Sequence, residues 1–295
     1  MIDIEPWALF AITTTILCGI SGIVSKLALN NAPSSVLVLS SFIVIMPVSL
    51  TLLAYYAIFI GFEGIELSYV VLGLVSAVFA NLGFFLYFDA LEKGPVMIVG
   101  SITSAYPAVI IVAALLFLGE TLTPLHMIGV AMVIAGVITL LYMHGTATGK
   151  TRIPRVALIL CILTIFSWST WGISLSVALD GLPILLYLGL STLVMPPLTL
   201  GYLKLRGNGE RIKMPKYSLP LILAIISVEL EQLGYYTETL SVSSGPASLV
   251  FPVVASYPMI TIVLAYFLLK ERISLKEALL IFAVVTGIVI VSTIQ

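Results

Sequence analysis

The chain has 295 residues, of which 60% are hydrophobic and only 9% charged, with a net charge of −1 and a mean hydropathy of +1.20. A soluble domain carries about 25% charged residues, so this composition excludes an ordinary soluble globule. The balanced charge excludes the basic field that nucleic-acid binding needs. Two cysteines, Cys18 and Cys161, lie in apolar runs and make neither a disulfide framework nor a metal cluster.

The opening "MIDIEPW" has no basic n-region, so the first apolar run reads as a retained span and not a signal peptide. A helix needs about 20 mostly apolar residues to cross a bilayer. Breaking the chain at charges, Gly, Pro and Asn gives ten such runs, at roughly 6–29, 34–60, 68–91, 95–118, 123–143, 155–178, 183–203, 217–240, 246–269 and 274–293. The runs are continuously apolar, without the alternation of barrel strands. The predicted fold is therefore all-α, a polytopic membrane protein of ten transmembrane helices.

The basic residues orient it. Lys26 ends span 1, Lys93 follows span 3, and Lys150, Arg152 and Arg155 follow span 5. Lys204, Arg206, Arg211, Lys213 and Lys216 follow span 7, and Lys270, Arg272 and Lys276 follow span 9. These are all 13 Lys and Arg, and every one falls at an odd-numbered connection. Positive residues stay cytoplasmic, so the odd connections are expected inside the cell membrane and both termini outside.

The second half repeats the first. At an offset of 151 the two align without a gap from Leu82/Leu233 to Leu140/Val291, matching Gly83/Gly234, Gly94/Gly245, Pro95/Pro246, Tyr106/Tyr257, Pro107/Pro258, Glu120/Glu271 and Gly136/Gly287. An offset of 150 continues this upstream through Gly22/Gly172, Ala28/Ala178 and Pro33/Pro183. Residues 1–145 and 146–295 thus form two five-helix repeats of one structural unit. Five is odd, so the second repeat is inverted, as in secondary transporters that bind substrate near the midplane between halves.

On these residues the chain resembles a ten-helix permease of the EamA type, in the drug/metabolite transporter superfamily. The resemblance covers nearly the whole chain and rests on "CGISGIVSK" (18–26), the two Gly-Pro pairs and the two Tyr-Pro pairs. It rests also on "LGETLT" (118–123) and "LKERIS" (269–274), followed by Gly136 and Gly287. It implies a transporter, in a superfamily that carries amino acids, amines, nucleotide sugars and other metabolites. Cys18 stands where family members often carry Trp.

Local chemistry adds to this reading. The Gly-Pro pairs end one helix and start the next. Ser274 and Glu277 have capping-box spacing, and Glu120 and Glu271 are placed to hold free amides at helix starts. Pro107 and Pro258 fall near mid-span at repeat-related positions, with Pro252 two turns before Pro258. A carbonyl freed by a mid-span proline must be satisfied by protein or water. These prolines are therefore expected to bend helices around a cavity and act as hinges. Static packing kinks are the alternative.

Intramembrane ionisable residues are costly and mark function. Span 8 reads "SVELEQLGYYTETL" (227–240). Glu231, Tyr235 and Glu238 share a helix face, while Glu229 points nearly opposite Glu231. The stripe Glu231, Tyr235, Glu238 is expected to bind substrate. Gln232 joins it, paired by the repeat with Asn81. Trp168 and Trp171 in "SWSTWGIS" (167–174) lie near mid-span, where an aromatic face beside a carboxylate suits an organic cation. A carboxyl in low dielectric holds its proton more readily, so Glu229 and Glu231 are candidates for proton coupling. Neutral, hydrogen-bonded Glu residues between helices are the competing reading.

No Lys or Arg lies at mid-span, against a strongly anionic substrate. His126 and His144 have no ligand-spaced partners, and no cofactor, metal or catalytic constellation is expected. The predicted function is a secondary transporter of a small polar, amino-acid-like or cationic metabolite, working by alternating access and proton coupling. Its partners are that substrate, the bilayer and protons, and nothing fixes an oligomeric state. The alternatives are a non-transporting membrane scaffold or an intramembrane enzyme.

Overall fold

A computed structural model describes residues 5–117, 123–146, 153–206, 219–245, 247–270 and 274–292. Glu120, Glu271 and Pro246 lie outside the described residues, as does most of the basic connection after span 7. The first half contributes α1 (Pro6–Leu29), α2 (Ser34–Tyr55), α3 (Leu67–Lys93), α4 (Val96–Thr103), α5 (Tyr106–Phe117) and α6 (Pro124–Thr146). The second contributes α7 (Arg155–Ala178), α8 (Ile184–Arg206), α9 (Leu219–Ser244), α10 (Ala247–Val254), α11 (Pro258–Leu264) and α12 (Leu275–Ser292). Eight stretches among the described residues are long and apolar enough to cross a membrane; one runs through α4 and α5, another through α10 and α11. The apolar helices α6 and α12, which pack on each other, bring the helices of the bundle to ten.

Proline marks the helix starts, where its missing N–H costs nothing: Pro33, Pro95 and Pro154 occupy the N-caps of α2, α4 and α7. The expected capping box opens α12. Ser274 N donates to Glu277 Oε2 at 2.5 Å, and Glu277 N donates to Ser274 Oγ at 3.3 Å.

The fourth and ninth spans are each broken in two, the first just before Tyr106-Pro107 and the second at residues 255–257, just before Pro258. Pro107 has no N–H to bond back into the preceding turn, so Ser104 and Ala105 form a tight turn, closed by Ala105 N to Ile102 O at 3.2 Å. The second break is closed by Ser256 N to Val253 O at 3.2 Å. Carbonyls at the breaks find hydroxyl donors, as a bilayer interior demands. Ser169 Oγ donates to Tyr106 O at 3.1 Å, and Thr15 Oγ1 to Val253 O at 3.0 Å. Pro252 sits within α10.

The helices pair across the halves: α1 lies along α9, and α7 along α3. Repeat-related residues make the two seams. A Cβ on Gly234 would lie 2.8 Å from Cys18 Sγ, and a Cβ on Gly83 would lie 2.3 Å from Trp168 Cδ1. Only glycine permits these approaches. Ser21 Oγ donates to Ser227 O at 2.9 Å in one seam, and Ser76 Oγ to Trp171 O at 3.2 Å in the other.

Valine in place of Gly234 would push its branched carbons into Cys18 and overpack the α1–α9 seam, a change that costs about 1–3 kcal/mol. Thermal unfolding in detergent is expected to show that loss, and adding Cys18→Ala is expected to recover part of it. An unchanged transition in Gly234→Val would mean that the seam yields at no cost.

Candidate functional site

The seams and the helix breaks enclose a central cavity. Cys18 from α1 lines it, with Phe84 and Tyr87 from α3, Trp168 and Trp171 from α7, and Glu231 and Glu238 from α9. Tyr106, Val254 and Tyr257 close it from the broken helices. The space open to the centre of a water molecule is about 40 Å³, room for roughly three waters. Among the described residues no Lys or Arg lines it, and no group of three or more His, Cys, Asp or Glu is placed to hold a metal ion.

Aromatic rings form most of the wall. The Trp168 ring centroid lies 5.3 Å from Tyr87, 5.4 Å from Phe84 and 5.7 Å from Tyr106. Trp168 Nε1 is buried without a hydrogen-bond partner, on the edge of the ring that packs against Gly83 of α3. Tyr106 OH donates to Glu238 Oε1 at 3.2 Å, and the Tyr87 and Tyr257 hydroxyls bond to each other. These two contacts are repeat mates, since Tyr106 corresponds to Tyr257 and Glu238 to Tyr87. The same geometry thus holds a carboxyl on one side and a phenol on the other.

Both acids of the predicted stripe reach the cavity. Glu231 and Glu238 are 8% and 6% exposed, and two helical turns place their Cα atoms about 10 Å apart along α9. Tyr235 sits behind the wall. Its hydroxyl bonds Tyr187 OH at 2.5 Å, and its ring lies 5.9 Å from Trp171. Tyr187 OH also accepts from Trp171 Nε1 at 3.2 Å and pairs with Ser76 Oγ at 3.0 Å, so this layer fixes the Trp171 ring. Asn81 and Gln232 come to one place. They line a smaller pocket with Ser41 and Glu231, so Glu231 borders both spaces. Glu229 is exposed on the outer face of α9 and is not among the cavity residues.

A second polar cluster ties the halves at the end that carries the basic residues. Arg206 of α8 donates to Asp89 Oδ1 at 2.5 Å and, through Nη2, to Glu92 of α3. Tyr202 OH donates to Asp89 Oδ1 at 2.7 Å, and Ser34 Oγ of α2 donates to the same oxygen. Lys26 caps the end of α3, giving hydrogen bonds to Leu91 O at 2.6 Å and Gly94 O at 2.7 Å. The sequence reading took Lys26 and Arg206 as topological charges, and passed over Phe84, Tyr87, Tyr106 and Tyr257 as site residues. The available signal was that each of the four aligns by the repeat with another site residue or with Tyr235.

Two inverted five-helix halves closed around an aromatic-walled central cavity define a multi-pass helical membrane protein. The profile of the EamA-like transporter family matches residues 5–142 and 155–293. The chain belongs to this family, within the drug/metabolite transporter superfamily, a family of transporters and not of enzymes. It is 42% identical over 67 residues to the uncharacterized protein MJ1333.1 of Methanocaldococcus jannaschii, covering 23% of this chain and 49% of that protein. It is 30% identical over 134 residues to the uncharacterized transporter YojE of Bacillus subtilis, covering 45% of this chain and 41% of that one. The chain thus spans half or less of the length of these curated relatives. A solved structure described only as the crystal structure of a protein superposes with a TM-score of 0.71 over 99% of both chains, at 17% identity. That likeness shows the fold alone.

Tyr187→Phe would leave Trp171 Nε1, Tyr235 OH and Ser76 Oγ without their shared partner. An unsatisfied buried polar group costs about 1–3 kcal/mol. Thermal unfolding should fall accordingly, and the near-ultraviolet dichroism of Trp171 should weaken as its ring loosens.

Proposed function

We propose that the protein carries a small organic cation, or the ammonium end of an amino-acid-like metabolite, through the central cavity by alternating access. One observation carries this reading: two buried carboxyl groups share an aromatic-walled cavity that no Lys or Arg lines among the described residues. An ammonium group placed against Trp or Tyr faces gains about 2 kcal/mol or more when desolvated, and the carboxylates supply its counter-charge. A phosphorylated substrate would need a cationic clamp, which this wall lacks.

In this proposal Glu231 and Glu238 contact the substrate, and Trp168 and Trp171 form its aromatic face. Tyr235 positions Trp171 through Tyr187, and Asn81 and Gln232 hold Glu231 from its other side. Glu231 is also the coupling residue, exchanging a proton for the cation. Glu229, on the opposite face, enters the coupling test as the second carboxyl. Halves 1–145 and 146–295, interlocked in one structural unit, rock against each other, with the breaks before Pro107 and Pro258 as hinges and Pro252 bending α10 toward the second. The Arg206 cluster holds the basic end closed in the present conformation. The odd connections face the cytoplasm and the termini face outside, because every Lys and Arg falls at an odd connection.

The test is flux of amines, quaternary amines and amino acids into proteoliposomes, with acidic metabolites as controls. Cation or zwitterion uptake should fall at least tenfold in Glu231→Gln and Glu238→Gln, whereas uptake confined to anions would overturn the reading. Across a pH series, coupling through Glu231 predicts a flattened profile in Glu231→Gln. A profile flattened only in Glu229→Gln would move the coupling to that residue. For orientation, a cysteine placed at Asn208 should react with an impermeant maleimide in inside-out vesicles and not in intact cells.

A further inference from the structure

A second cavity, larger than the central one, opens on the side of the bundle between α3 and α8. About 550 Å³ of it is open to the centre of a water molecule. Its cause lies in the sequence. Pro196 and Pro197 stand consecutively inside α8, where each removes a backbone bond and bends the helix. Toward the start of α8 the two helices are tightly packed, since a Cβ on Gly73 of α3 would lie 2.5 Å from Leu182 and 3.0 Å from Leu190. Beyond the prolines the groove widens. Leu82 and Leu86 of α3 and Pro197, Leu198 and Leu205 of α8 form its apolar length. Asp89, Lys93, Tyr202 and Arg206 stand at its far end.

The groove runs along α3 from Leu82 to Lys93, about 16 Å, close to half the hydrocarbon thickness of a bilayer. It therefore spans one leaflet, apolar where acyl chains lie and charged where headgroups lie. The rim has both signs. Arg206 is engaged by Asp89 and Glu92. The Lys93 ammonium lies 3.7 Å from Glu92 Oε2 with 34% of the side chain exposed. A headgroup meeting this rim finds a cation for its phosphate beside carboxylates for an amine.

The fold does not impose the site. The repeat-related groove between α9 and α2 has Leu240, Ser243 and Ser244 in place of Asp89, Glu92 and Lys93. It has Leu52 and Tyr56 in place of Tyr202 and Arg206. The proline is kept there, as Pro47 for Pro197, and the charges are not.

We infer that the α3–α8 groove binds a diacyl phospholipid with a phosphoethanolamine headgroup. One acyl chain lies along Leu82, Leu86 and Leu205, and the phosphate sits on Lys93. The primary ammonium donates to Asp89, which lines the groove, and to Glu92 beside Lys93. A quaternary choline has no N–H to donate to those acids, and an anionic phosphoglycerol leaves them unmatched.

Gly201 supplies the discriminating variant. It lines the groove, and a Cβ there would meet nothing within 4 Å, so Gly201→Leu fills the groove without disturbing the bundle. The protein is delipidated in detergent and returned to nanodiscs of equal phosphatidylethanolamine, phosphatidylcholine and phosphatidylglycerol. Native mass spectrometry then counts the lipid retained on release. At least fivefold enrichment of phosphatidylethanolamine over each rival is expected in the unaltered protein, with enrichment lost in Gly201→Leu and reduced at least threefold in Lys93→Gln. Equal retention of the three lipids, preference for phosphatidylglycerol, or enrichment that persists in Gly201→Leu would each overturn the assignment.

Discussion

The close approach of helices from opposite halves, α1 on α9 and α7 on α3, is the constraint on which the rest of this structure depends. Lipid tails are as apolar as leucine, so helices in a bilayer gain little from burying apolar faces and rely on close packing and interhelical hydrogen bonds. Gly234 and Gly83 provide the packing, while Ser21 and Ser76 provide hydrogen bonds at corresponding depths. Because the first long helix of each half lies along the third of the other, neither half encloses a core alone. The cavity exists only in the interlocked pair. The seams also differ where it matters: Trp168 fills one and its repeat mate Cys18 leaves room in the other, beside the α9 carboxylates.

Chemistry in this cavity comes from breaking a symmetry. The helix breaks put Tyr106 and Tyr257 at corresponding places, each with its hydroxyl turned to a residue of α9 or α3. Opposite Tyr257 stands the phenol of Tyr87; opposite Tyr106 stands the carboxyl of Glu238. Glu231 likewise answers to Ala80 in the first half. The duplicated backbone builds a hydrogen-bonding frame twice, and α9 alone adds the acids. In the reading proposed above, the frame belongs to the mechanism of movement and the departures from it belong to the substrate.

The ten spans, their duplication and the positions of the breaks were legible in the sequence because each rests on a strong and local signal: apolar length, charge at span ends, or a proline inside an apolar run. The cavity was legible through its acids and through Trp168 and Trp171. Helical spacing put Glu231, Tyr235 and Glu238 on one face, and the two acids do line the cavity. Tyr235 falls a layer behind because Trp171 of α7 stands before it, and spacing along one helix carries no information about what packs against it. Phe84 and Tyr87 were hidden for another reason: in a membrane span an aromatic facing a cavity reads like one facing lipid. The Asp89–Arg206 pair was hidden by chain separation, and because charges at span ends already had an explanation as topological determinants.

The two ends of the bundle are sealed by different forces, and this bears on how inverted halves could move. At the basic end, ionic and hydroxyl contacts among Ser34, Asp89, Glu92, Tyr202 and Arg206 join the halves. At the opposite end the described contacts between the halves are mainly apolar: Leu182 lies against Gly73 and Gly181 against the ring of Tyr69, with one hydrogen bond from Ser241 Oγ to Trp7 O at 2.7 Å. Ion pairs near an aqueous interface exchange partners for water at small net cost, about 0–1 kcal/mol each, and salt screens them. Apolar contacts lose roughly 25 cal/mol for each Å² uncovered, with little help from salt screening. Repeated halves could in principle exchange conformations at equal cost, but these two cannot, because their ends are not chemically equivalent. In an alternating-access cycle this inequality would bias the resting state, and ionic strength would act mainly on the basic end.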